Sequence, residues 1–184
     1  SQVQYVCRAG NYKKNGLEYT GVLRMLRGIL NTDYLWNTVR VKGGAYVCMN
    51  GYMRNGDTYF VSYRDPNLKE TNQVFENVVK YLEEFDADER DMTKYVIGTI
   101  SDLDVPLLAP YKGSKADAAY FSHLTDEMIK KEREEILKAT KEDIRALAPV
   151  IREILSTGSF CVIGNAEKIR ENQELFGEVK NLFN

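Results

Sequence analysis

The residues best equipped for chemistry in this chain are Arg40 and Tyr46, six positions apart in the stretch Arg40-Val41-Lys42-Gly43-Gly44-Ala45-Tyr46. Arg40 is a fixed cation whose planar guanidinium presents several donors to carbonyl or carboxylate oxygens. Tyr46 offers one O–H donor on a stiff ring. Between them, Gly43 and Gly44 let the backbone turn through conformations closed to other residues and let a second chain lie close. This is the one place in the chain where two strong donors flank so permissive a backbone. From residue types alone the plainer arrangement is favoured, with Arg40 closing a helix on its last carbonyls and Tyr46 pointing into the core.

Other chemistries find little support. His123 is the single histidine. Zinc sites take three or four ligands, so this chain carries no sequence pattern for one. Neither H-E-x-x-H nor H-x-x-E-H occurs, nor does G-x-S-x-G. Cys161 falls in the apolar run Phe160-Cys161-Val162-Ile163 and is expected to be buried and inert. Gly43-Gly44 matches no phosphate-binding loop, and it leads from a helix into a strand, the reverse of the polarity a phosphate loop needs. The run Lys130-Lys131-Glu132-Arg133-Glu134-Glu135 alternates in sign and reads as a solvated helix face.

These residues must be held by the rest of the 184-residue chain, which fits one domain over 1–184. With 25 basic and 27 acidic side chains the net charge is −2, giving no electrostatic case for nucleic acid or an anionic membrane. No apolar run reaches the ~20 residues of a membrane span. Ser1 opens the chain without a signal peptide or an initiating Met, which suggests a fragment of something longer. Three widely spaced cysteines, Cys7, Cys48 and Cys161, point to reduced thiols and a cytoplasmic setting.

Alternation predicts a strand over Val3–Ala9, followed by a polar turn from Gly10 to Gly16. Val22, Leu23, Leu26, Ile29 and Leu30 recur at helical spacing, and a second helical piece is expected from a Thr32 or Asp33 cap to Arg40. Runs Ala45–Met53 and Thr58–Arg64 around Asn55-Gly56 form a hairpin. Helices follow over 68–85, from 89 to about 103, over 114–123 and over 126–139, with Pro106 and Pro110 as interruptions. Thr140 caps a further helix that Pro149 should split near Ala148. A strand at Phe160–Ile163, a helix capped by Asn165 and a turn with Leu175, Phe176, Leu182 and Phe183 close the chain. Strands far apart in sequence with helices grouped between them imply an α+β fold, a mostly antiparallel sheet with helices packed on one face.

The Arg…Gly-Gly-Ala-Tyr segment resembles a motif of the inverted-zincin (M16, insulinase-like) metallopeptidases, in the presequence-protease branch. Glu132–Ala146 is similar to that family's late helices, and the order of elements agrees along essentially the whole chain. The family's motif continues with glycine where this chain has Val47. The resemblance implies the C-terminal, non-zinc domain of a zinc metalloendopeptidase that degrades peptides inside a chamber closed by two halves. Zinc would be bound by a domain absent here, and none by this chain, which alone would be inactive. The expected partners are a peptide substrate and the N-terminal half of the same polypeptide. Tyr46 and Arg40 would assist catalysis, and Arg40, Gly43, Gly44, Ala45 and Tyr46 would contact substrate. The alternatives are a non-catalytic peptide-binding or assembly subunit of the same fold, and an unrelated α+β binding module.

Overall fold

The computed structural model describes residues 2–182, so Ser1, Asn184 and the expected turn position Phe183 lie outside it. Four strands form one antiparallel sheet in the order β2-β3-β1-β4: β1 (Gln4–Asn11), β2 (Val47–Tyr52), β3 (Asp57–Asp65) and β4 (Ser159–Ile163). Among the described residues the helices pack on one face alone, and strand alternation explains why. Val6, Tyr52, Phe60 and Ser62 turn inward and are buried, whereas Tyr5, Cys161 and Ile163 turn outward and remain exposed. The outward face carries Val47 beside Tyr63, Val61 beside Cys7, and Cys7 beside Cys161 in register.

The inner face meets α1 (Gly21–Ile29), α2 (Lys69–Glu76) and α8 (Ala148–Thr157), and α3 (Val78–Glu83) packs against α8. Leu23, Leu26 and Ile29 of α1, Phe75, Val78 and Leu82 of α2 and α3, and Ile151 and Ile154 of α8 are all essentially inaccessible. Leu23, Leu26 and Ile29 are among the residues expected at helical spacing, and burying each such side chain contributes about 1.5–3 kcal/mol. The hairpin turn forms at Asn55-Gly56, with Gly56 at φ +100° and its amide bonded to the Met53 carbonyl at 2.9 Å. Thr140 and Asp143 complete a capping box ahead of α7 (Lys141–Arg145), and Pro149 sits in the first turn of α8, where its missing amide costs nothing. Asp88 caps α4 (Glu89–Leu103), and Asn165 caps α9 (Ala166–Glu171).

Several local expectations are corrected. Neither Thr32 nor Asp33 starts a new helix: α1 continues through wide π-type turns at Leu30–Tyr34 and Trp36–Lys42, and the Thr32 hydroxyl bonds back to the Gly28 carbonyl at 3.0 Å. Pro110 opens α5 (Ala109–Phe121) rather than breaking a helix. The polar turn holds Tyr12, which is fully buried with its hydroxyl on the Met53 carbonyl at 2.5 Å. Cys161 is exposed, because β4 is an edge strand and places that residue on the uncovered face. Glu132, in the run expected to be solvated, is only 4 % exposed on α6 (Asp126–Lys138).

Candidate functional site

The long helical run ends on the glycine pair, and the two glycines do different work. A Cβ on Gly43 would lie 2.6 Å from the Val39 carbonyl oxygen, so the wide last turn leaves no room for one. Gly44 sits at φ +80°, the left-handed region that side chains disfavour. The amides of Gly43, Gly44 and Ala45 fold back onto the carbonyls of Thr38, Arg40 and Val39 at 3.0–3.1 Å. Asn67 secures the Gly43 carbonyl at 2.6 Å, and the Ala45 side chain is buried. The chain thereby leaves the helix at a fixed angle and enters β2.

Arg40 braces this corner from outside. Its Nη1 donates to the carbonyls of Ala45, at 3.3 Å, and Tyr46. The guanidinium carbon lies 4.9 Å from the centre of the Trp36 ring and 5.5 Å from that of Tyr46. Tyr46 is 55 % exposed. Its amide pairs with the Tyr63 carbonyl at 3.1 Å, and its ring meets Tyr63 edge-on at 5.9 Å. Tyr63 meets Tyr5 at 5.0 Å, so three phenols run from the corner onto the uncovered sheet face. Desolvation and the adjacent Tyr63 hold the Tyr5 hydroxyl above its usual range, while the Arg64 cation pulls it the other way.

Arg64 belongs to this group and was not evident from the sequence. It stands at the end of β3 with φ +48°, beside an irregularity in the β1–β3 register, and its guanidinium lies 5.9 Å from the Tyr46 ring centre and 5.5 Å from that of Tyr63. An arginine followed by Asp65-Pro66 marks the end of a strand but carries no sign of a left-handed backbone. The structure therefore brings Arg40, Tyr46 and the glycine corner together and adds Arg64, Tyr63, Tyr5 and Trp36. A separate cleft of about 480 Å³ between α1 and α4, floored by Gly28 and Gly98, shares no residue with the corner.

Metal chemistry has no seat among the described residues. They contain no group of three or more His, Cys, Asp or Glu able to hold a metal ion. His123 is exposed after α5, and Cys48 faces the core on the opposite side of the sheet from Cys7 and Cys161. The residues present do not fit the zinc that the resemblance implies for the whole enzyme. No helix is long and apolar enough to cross a membrane among those residues.

Comparison with known proteins places this architecture. The fold matches a peptidase M16 inactive domain from Pseudomonas fluorescens with a TM-score of 0.64 at 14 % identity, covering 88 % of this chain and 40 % of that one. A protease from Helicobacter pylori matches with a TM-score of 0.70 at 13 % identity, covering 90 % and 42 %. The likeness is one of fold, an antiparallel sheet with helices packed on one face. The family model of the PreP C-terminal domain matches residues 1–166, and the chain belongs to that family, within the presequence-protease-like branch of the M16 metallopeptidases. Protein HypA of Clostridium perfringens is 50 % identical over 180 residues, which are 98 % of this chain and 18 % of that protein. Presequence protease 1, chloroplastic/mitochondrial, of Arabidopsis thaliana is 33 % identical over 184 residues, 98 % of this chain and 17 % of that protein. The chain thus spans less than a fifth of the length of these relatives.

The relatives also correct the expected localisation. The presequence proteases matched are mitochondrial or chloroplastic/mitochondrial proteins, not cytoplasmic ones. Free thiols report a reducing environment and do not distinguish one such compartment from another, so the cysteine count could not have located the protein.

Proposed function

We propose that this chain is a single domain, the C-terminal non-zinc part of a larger zinc-dependent peptidase, and that it forms one wall of a chamber in which peptides are cut. The other wall is the N-terminal half of the same polypeptide, which holds the zinc. The observation that carries this reading is Tyr46: a half-exposed phenol at the rim of the uncovered sheet, positioned through its backbone and through ring contacts with Tyr63 and two guanidiniums. Its hydroxyl makes no hydrogen bond among the described residues, so the donor is available to a ligand.

Peptide hydrolysis gathers negative charge on the former carbonyl oxygen as the tetrahedral intermediate forms. A donor aimed at that oxygen stabilises the transition state more than the ground state and therefore raises kcat. Tyr46 is placed to be that donor. Arg40 fixes the main chain on either side of it, Gly43 and Gly44 shape the corner, and Ala45 supplies a carbonyl that Arg40 holds. The donor reaches the reacting carbonyl only when the two halves close around substrate. In the full-length protein, Tyr46→Phe is expected to lower kcat by about 10²–10³, with KM nearly unchanged and the zinc content of the enzyme intact. Wild-type kcat in that variant would remove Tyr46 from the mechanism. Loss of zinc would mean that the substitution acts on the fold.

A further inference from the structure

Among the described residues two arginines gather around a tyrosine in two places, and the two sets differ in one respect. In the first, Arg24 and Arg54 meet around Tyr19 and both bind the carboxylate of Glu132. In the second, Arg40 and Arg64 meet around Tyr46, and no carboxylate joins them among the described residues. Arg40 is partly satisfied, because it donates to the Ala45 and Tyr46 carbonyls. Arg64 is not: its side chain is exposed and stands on two aromatic rings, and its guanidinium makes no hydrogen bond or ion pair among the described residues, although its carbonyl accepts from the Tyr46 amide at 3.4 Å.

Position 64 also carries a conformational cost. Left-handed backbone is disfavoured for a side chain with a Cβ by about 1–2 kcal/mol, and glycine would sit there without penalty. Strained non-glycine residues gather where a side chain is needed at one place. Here the strain lifts the Arg64 guanidinium over Tyr63 and Tyr46 instead of letting it alternate along the strand.

We infer that Arg64 is a further substrate-anchoring cation of this corner, taking an acceptor oxygen of a bound peptide, beside Arg40, whose Nη1 also braces the chain at Tyr46. The inference rests on the peptidase reading and names a residue that neither the motif nor the resemblance supplies. Two sources share the chemistry, the terminal carboxylate of a peptide and a backbone carbonyl within it. The planar fork of arginine suits a carboxylate pairwise and a carbonyl singly.

The test is Arg64→Gly in the full-length protein, held in chelator so that no turnover occurs, with Kd read from the anisotropy of a short fluorescein-labelled peptide made as the C-terminal acid and as the amide. Glycine fits φ +48°, so the variant keeps its fold, and its Tm should rise by about 2–4 °C. Kd is expected to rise about tenfold or more, the loss of a charge-assisted hydrogen bond. A rise for the acid alone assigns Arg64 to the terminal carboxylate, and a rise for both assigns it to a backbone carbonyl. Arg64→Lys keeps the charge without the fork and should fall between glycine and wild type. Unchanged Kd for both peptides in Arg64→Gly, or a wild type that binds neither, overturns the inference. A wild type that binds peptide yet fails to cleave it once metal is restored sinks the peptidase reading and leaves the anchoring role of Arg64 standing.

Discussion

The cluster around Glu132 and the corner around Tyr46 use the same side chains to opposite ends. At the first, Glu132 accepts from Arg24 Nε at 2.6 Å, from the Tyr19 hydroxyl at 2.8 Å and from Arg54, whose guanidinium lies 4.4 Å from the Tyr19 ring centre. Three elements distant in sequence, the start of α1, the hairpin tip and α6, are tied by one carboxylate. Both guanidiniums and the phenol there have a carboxylate partner within the protein. At the corner no carboxylate joins the set among the described residues, the Arg64 guanidinium has no hydrogen bond or ion pair among them, and Tyr46 is half exposed. A saturated set holds a fold together; an unsaturated set at a rim is suited to a ligand.

The sharpest way to break this contrast is to remove the carboxylate that completes the closed set. In Glu132→Gln, two guanidiniums and a phenol lose their charged acceptor, and breaking such a pair costs about 3 kcal/mol, the lower end of the range because both arginines keep part of their surface in water. Urea or thermal unfolding should report a Tm lower by about 6–12 °C. Acid should reproduce the effect. Burial alone would raise the Glu132 pKa, but its hydrogen bonds to Arg24 and Tyr19 and the two arginine charges bring it below the usual carboxylate range. A depressed folded-state pKa gives stability that is complete above the unfolded value of about 4.3 and is lost as pH falls through the folded value. The pH slope of wild-type stability below about pH 4.3 should therefore flatten in Glu132→Gln. A variant as stable as wild type would show that the closed set does not clamp the fold.

Arg40 sharpens the contrast from the other side, since it belongs to the open set yet spends its donors internally. Arg40→Ala removes two hydrogen bonds to the corner carbonyls and the stack on Trp36, an expected loss of about 1–2 kcal/mol in urea unfolding. Arg64→Gly should lose none. Equal losses at both positions would dissolve the distinction between a bracing and an anchoring arginine.

Much of the frame was legible because local chemistry dictates it. Asn55-Gly56 supplies the turn, Thr140 and Asp143 the capping box, Pro149 the helix break, and the 3.6-residue spacing of Leu23, Leu26 and Leu30 the buried face of α1. Arg40, Gly43, Gly44 and Tyr46 could be marked as one corner because they are adjacent in sequence. What stayed hidden depends on tertiary partners. Glu132 reads as one charge among several until Arg24, Arg54 and Tyr19, up to 113 positions away, converge on it. Arg64 looks like any strand-end arginine, since no residue type in its neighbourhood demands φ +48°. The wide turns from Leu30 to Lys42 defeat a cap-based reading, because the helix neither stops nor restarts.

The cysteines carry the same contrast of closed and open to the two faces of the sheet, at the smallest energy. Cys161 is exposed on the uncovered face, and Cys7 lies opposite it in register, half-buried, with its thiol pushed up by burial and by the neighbouring Cys161. Cys48 points the other way, against the helices, where burial first and the nearby Asp65 second push its thiol up to about 12. The thiolate is the reacting species, so at pH 8 Cys48 should alkylate roughly 10³-fold more slowly than an exposed thiol. Iodoacetamide labelling followed by peptide mass spectrometry should order them Cys161, Cys7, Cys48. Because Cys48 must wait for the core to open, its rate should rise in Glu132→Gln while that of Cys161 holds steady. Labelling of Cys48 as fast as Cys161 in the wild type would mean that the helix-covered face is not closed, and the division of the molecule into a clamped side and a receptive side would fail with it.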